Sequence, residues 1–150
     1  MGAAAWCAVF AAVHLFWAVG GTAGLASSAG RELAERRPLS FVVFGLFGVA
    51  VLLLAAIALV MVTSGLIGPD RLSRVAGLVA AVVGVTLIIR GVALEILLAT
   101  GAGGLRATVA LETRWSLALW NPWFALGGAL FLWTALRARR RVRHRLSSSQ

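Results

Sequence analysis

The stretch LSFVVFGLFGVAVLLLAAIALVMVTSGLIGP, residues 39 to 69, contains no charged side chain. A helix rises 1.5 Å per residue, so about 20 apolar residues cross the hydrocarbon core of a bilayer. This run is longer than that, and Val, Leu, Ile, Ala and Phe occupy every face of it. A helix on the surface of a soluble domain would keep a polar face. The run therefore reads as a transmembrane helix over about residues 41–67. Pro38 suits its start, where a missing N–H costs nothing, and Gly68-Pro69 suits its stop.

Three further stretches have the same character. The first covers about residues 3–25, with His14 as its sole ionisable side chain. Another covers 75–100 and carries Arg90 and Glu95, and the last covers 116–136. Strands of a membrane barrel are shorter and alternate in polarity, so the expected fold is all-α, an integral membrane bundle of four transmembrane helices. A cleaved signal peptide is the competing reading of residues 3–25. It lacks support, because residues 1 to 13 hold no Arg or Lys to serve as a basic leader.

The composition agrees. Hydrophobic residues make up 61% of the 150 and charged residues 13%, against about 45–50% and about 25% in a soluble domain. This excludes a soluble enzyme with an ordinary polar coat, and the length allows one domain. We expect a four-helix transmembrane domain over 1–136 and a basic cytoplasmic tail over 137–150. Cys7 stands alone, which excludes an intramolecular disulfide and a cysteine-based zinc site. With no second histidine inside the spans, no metal site is expected, and no cofactor is implied.

The net charge of +9 comes entirely from arginine, and six of the fourteen lie in residues 137–150. Four spans put both termini on one side together with Arg71 and Arg74, eight arginines in all, against five on the other side. The excess marks the cytoplasmic side, so both termini are expected there. The tail reads first as a topology anchor and second as a contact for anionic lipid. No recognition module precedes it, so nucleic acid is not expected as a partner.

Lipid provides no hydrophobic drive between helices, so small residues must let them approach. Gly77, Gly84 and Gly91 recur every seven residues in the third span. They form a seam for a neighbouring helix or for a second copy in a homo-oligomer. Glu95, four residues beyond Gly91, continues the seam and should face protein.

Ionisable residues inside a membrane are costly, and each is a candidate for function. At 1.5 Å per residue, Trp17, Arg90 and Asn121 share a level in the outer half, with His14 below and Glu95 above. His14, Trp17, Arg90, Glu95 and Asn121 are thus the candidate polar binding cluster. No catalytic residue is assigned, because no nucleophile stands with a base. Arg90 and Glu95 are five residues apart, which is not the three or four that faces. The cluster is either a clasp between helices or a ligand site. Asn121-Pro122 is also open, as a kink within the fourth span or as a helix start that leaves Ala107–Trp120 at the interface and whose free N–H groups would attract an anion.

His14-x2-Trp17-x2-Gly20-Gly21, Arg90 with Glu95, and Trp120-Asn121-Pro122-Trp123-x3-Gly127-Gly128 together resemble a small four-helix membrane family. It occurs mainly in GC-rich Gram-positive bacteria as a domain of unknown function, DUF3995. The resemblance covers the body of the chain without the tail. It implies the four-helix fold and a bacterial plasma membrane, and brings no activity with it. The expected function is a non-enzymatic accessory or binding module with its polar cluster in the outer half. The alternative is an enzyme or carrier acting on an anionic amphiphile such as a lipid or isoprenoid phosphate, with His14 or Glu95 moving a proton.

Overall fold

In the computed structural model, residues 1–100 and 115–147 are described, and every regular element among them is helical. The order is α1 (Gly2–Ala18), α2 (Leu25–Ala29), α3 (Arg31–Arg36), a π-helical stretch Phe41–Phe47 running into α4 (Gly48–Thr63), and α5 (Asp70–Thr100). A second π-helical stretch, Ser116–Trp120, runs into α6 (Asn121–Ser147). Two helices are long and apolar enough to cross a membrane, Phe41–Thr63 and Arg71–Thr100, with mean hydropathies of 2.9 and 2.3. The first helix is apolar but has 17 residues, about 26 Å at 1.5 Å each.

Several expected boundaries move. The first helix stops at Ala18 instead of continuing to Leu25. Gly20 and Gly24 take φ of 118° and 77°, which a residue with a Cβ rarely adopts, and they turn the chain into α2. The second long helix ends at Thr63, four residues early, and α5 begins at Asp70, five residues early. At the other end, α6 runs past the expected residue 136 to Ser147, so the arginine-rich segment is helical that far. Arginine is a good helix former, so charge alone does not end a helix.

The four long helices pack in a ring, α1 on α4, α4 on α5, α5 on α6 and α6 on α1, with α1 and α5 across the diagonal. The core is a cluster of Trp6, Cys7, Phe10, Val60, Ala80 and Phe131. Glycines set the closest approaches. A Cβ added at Gly84 would stand 2.9 Å from the Gly128 carbonyl oxygen, and one at Gly91 2.7 Å from the Asn121 carbonyl oxygen. The backbones of α5 and α6 therefore touch, and this part of the glycine seam is covered within the chain. Gly77 faces elsewhere, with its would-be Cβ 3.8 Å from the Thr63 methyl of α4. A seven-residue spacing drifts about 20° per repeat on a straight helix, which turns Gly77 toward a different neighbour. Gly127 and Gly128 divide their work between two helices, Gly127 receiving Trp6 of α1 and Gly128 receiving Gly84 and Ile88 of α5.

The outer faces of these helices are also apolar. Phe44 is 77% exposed, Leu52 68% and Ile89 61%. Among the described residues the buried polar side chains are His14, Thr63, Ser73 and Asn121. Ser73 Oγ donates to the Thr63 carbonyl at 3.1 Å and joins the start of α5 to the end of α4.

Candidate functional site

Trp6, Phe10, His14 and Trp17 follow one another at helical spacing and form one face of α1. Trp120, Trp123 and Phe124 oppose them. Ring centroids lie 5.7 Å apart for Trp6–Trp123, 5.6 Å for Phe10–Phe124 and 5.8 Å for Trp17–Trp120. Edge-to-face and offset contacts at such distances are worth about 0.5–1.5 kcal/mol each beyond the area they bury. His14 sits inside this column, 4.6 Å from Phe10 and 5.3 Å from Trp17. Its Nδ1 donates to the Phe10 carbonyl of its own helix at 2.9 Å. Trp6 Nε1 donates across to the Trp123 carbonyl at 3.1 Å. The Trp123 Nε1 is buried with no acceptor among the described residues.

Asn121 and Glu95 meet directly. Asn121 Nδ2 donates to Glu95 Oε2 at 3.0 Å, joining α6 to α5 one turn beyond the Gly91 contact. Glu95 is half-buried, as the seam reading required, and Asn121 is 3% exposed. Arg90 is exposed and lies 3.8 Å over the ring of Phe124 as a cation–π contact. It makes no ion pair with Glu95, which agrees with their five-residue spacing. The five candidate residues thus fall into three groups. His14 and Trp17 lie in the aromatic column, Asn121 and Glu95 form an interhelical pair, and Arg90 closes the column from outside.

The Asn121-Pro122 element is helical on both sides. Proline at 122 has no N–H for the Ala118 carbonyl, and its ring crowds that carbonyl. The widened π turn at Ser116–Trp120 accommodates it without breaking the helix. A helix start with free N–H groups is therefore not what forms at Asn121, and that anion site lacks its donors. The interfacial alternative for Ala107–Trp120 falls largely on residues outside the described ones.

The widened turn places Trp120 against α2. Its Nε1 donates to Ser27 Oγ at 3.4 Å, and Trp17 Nε1 donates to the Ala23 carbonyl at 2.8 Å. Arg37 donates to the Gly21 carbonyl at 3.2 Å and to the Trp17 carbonyl, so a cation closes the end of α1. Leu25 is fully buried beside Trp17 and Leu46 and anchors the short helices over this end. Between them lies a cavity of about 580 Å³, walled by Trp17, Trp115 and Trp120, with Thr22, Ser27 and Arg31 also lining it. Sequence reasoning found Trp17 and missed Ser27, Arg37 and Trp120 as parts of this end. The signal for Trp120 was its place beside Asn121-Pro122. Among the described residues no group of three His, Cys, Asp or Glu side chains could hold a metal.

Residues 7–131 match the family model described as Protein of unknown function (DUF3995), and the chain belongs to that family. No curated protein and no solved structure matches it. The matched span runs from the buried Cys7 to Phe131 in α6, so it includes the aromatic column apart from Trp6, the Asn121–Glu95 pair and the cavity walls.

Proposed function

We propose that this protein is a four-span, non-enzymatic module of a bacterial plasma membrane that holds an amphiphile at its outer end. The observation that carries the reading is the aromatic-walled cavity of about 580 Å³. Ligand cavities fall at about 300–1,000 Å³, apolar on their walls with a few placed polar groups. Here indole rings supply the walls, and Thr22, Ser27 and Arg31 suit a polar or anionic head. The Asn121–Glu95 bond fixes α6 at the residue next to Trp120, so this pair supports the cavity wall. Support for four spans is the apolar outer surface, together with the uncharged stretch from Trp115 to Leu136. The arginine excess supports cytoplasmic termini. His14 is engaged inside the column, which favours a packing role over proton transfer.

The test is thermal melting in a neutral detergent with dodecyl phosphate as the probe. A ligand at a hundred times its Kd stabilises by about 2.7 kcal/mol, or roughly 5–10 °C at this size. The wild type should show that rise. Ala26→Trp, which fills the cavity from an exposed position, should show a smaller one. An equal response in both proteins, or none in the wild type, would refute the reading.

A further inference from the structure

A second cavity, of about 270 Å³, lies at the opposite end of the bundle, where α1 begins and α4 ends. One wall is a stripe of α6 made by Leu130, Trp133, Thr134, Arg137, Ala138 and Arg141. Those intervals of three and four residues keep the stripe on one helix face. Gly2, Ala3 and Ser64 close the other side. Both cations are held by contacts that leave donors over. Arg141 Nη1 donates to the Ser64 carbonyl at 2.7 Å, and the Arg137 guanidinium lies 4.6 Å from the centre of the Trp133 ring. A guanidinium has five N–H donors, so each keeps several for a ligand. The first turn of α1 reaches the same cavity, and no side chain caps it. Its N–H groups add positive potential. Among the described residues no acidic side chain lines the cavity. Arg139 and Arg140 are exposed and stand outside the stripe.

We infer that this cleft is a binding site for a phosphate-bearing anion, with Arg137 and Arg141 as its paired ligands and Thr134 lining it. Trp133, 57% exposed at the apolar end of the stripe, is placed as an interfacial indole beside the acyl chain of a lipid whose head group enters the cleft. The site is independent of the outer cavity. It also differs from a diffuse attraction of the whole basic segment, because it depends on two of the arginines and not on their neighbours.

Native mass spectrometry of the full chain in neutral detergent tests it. The probes are phosphatidylglycerol, phosphatidylcholine and inorganic phosphate, each titrated separately. Phosphatidylglycerol should bind as one preferred adduct over phosphatidylcholine. A contact of about 1 kcal/mol per basic residue is about fivefold in affinity. Arg137→Gln and Arg141→Gln should each weaken binding by about fivefold and together by about 25-fold. Arg139→Gln and Arg140→Gln, changed to the same residue on the same helix, should alter it less than twofold. Inorganic phosphate binding as tightly, with the same dependence on Arg137 and Arg141, would assign the site to free phosphate. Equal losses for all four variants, or equal binding of phosphatidylcholine, would overturn the proposal. Arg137→Lys separates charge from folding: it should retain most of the binding that Arg137→Gln loses.

Discussion

Gly91 and Gly77 lie two heptads apart on α5 and do different work. A Cβ at Gly91 would press on the Asn121 carbonyl and the Ala125 backbone nitrogen, which cannot yield without moving α6. Overpacking of this kind costs about 1–3 kcal/mol. Gly77 has ordinary space, and alanine is about 1 kcal/mol better than glycine within a helix. Gly91→Ala should therefore lower the melting temperature in detergent, and Gly77→Ala should hold or raise it. Equal effects would contradict the close α5–α6 contact. The Asn121–Glu95 bond adds a coupled term, about 0.6–2 kcal/mol for a polar contact between helices that span a bilayer as proposed. A double-mutant cycle of Asn121→Ala and Glu95→Ala should show coupling of that size, and strict additivity would mean the bond contributes nothing. Trp123 offers a third check. Its buried N–H lacks an acceptor among the described residues, a deficit of about 1–3 kcal/mol. Trp123→Phe should thus cost little, whereas Trp6→Phe loses an interhelical donor and should cost more in the same melt. At this scale the sequence was partly legible. The Gly91–Glu95 interval carried a seam directed at protein. It held no sign that Gly77 serves another helix, because that depends on accumulated drift between α5 and its neighbours.

At the scale of elements, the turn before Pro122 couples local chemistry to the outer cavity. Proline removes one hydrogen bond from the ladder, the helix widens over Ser116–Trp120, and Trp120 comes to rest against Ser27. Pro122→Ala restores an N–H to the Ala118 carbonyl and should tighten the turn. Losing one residue from a turn rotates what precedes it by about 100°, which carries Trp120 off the cavity wall. We expect the variant to melt no lower than the wild type and to respond less to dodecyl phosphate. An unchanged response would sever the turn from the cavity. The residues Asn121-Pro122 announced an irregularity, but a kink and a helix start share that dipeptide. Which one forms is decided by Trp115–Trp120 finding partners on α1 and α2, a tertiary matter. The same holds for the early end of the first helix. Val19 to Leu25 is apolar enough to continue, yet the paired glycines turn and Leu25 packs beneath Trp17.

For the whole molecule, the charge-free run of residues 39–69 was decisive, and the continuous helix Phe41–Thr63, like Arg71–Thr100, is long and apolar enough to cross a membrane. Four spans require more of the flanking helices. The first is about 26 Å long, so it must lie near the bilayer normal, and α6 must count its π stretch as part of the crossing. Together with the two short helices over one end and arginines at the other, this makes a module with two chemically distinct ends. Cysteine accessibility tests that account most directly. In a Cys7→Ser background, single cysteines at Ser28, Pro69, Thr100 and Arg140 would be treated with a membrane-impermeant maleimide in intact and permeabilised bacterial cells. Ser28→Cys and Thr100→Cys should label in intact cells, and Pro69→Cys and Arg140→Cys only after permeabilisation. Labelling of Ser28→Cys and Pro69→Cys from the same side, or of Thr100→Cys and Arg140→Cys from the same side, would contradict the four-span account.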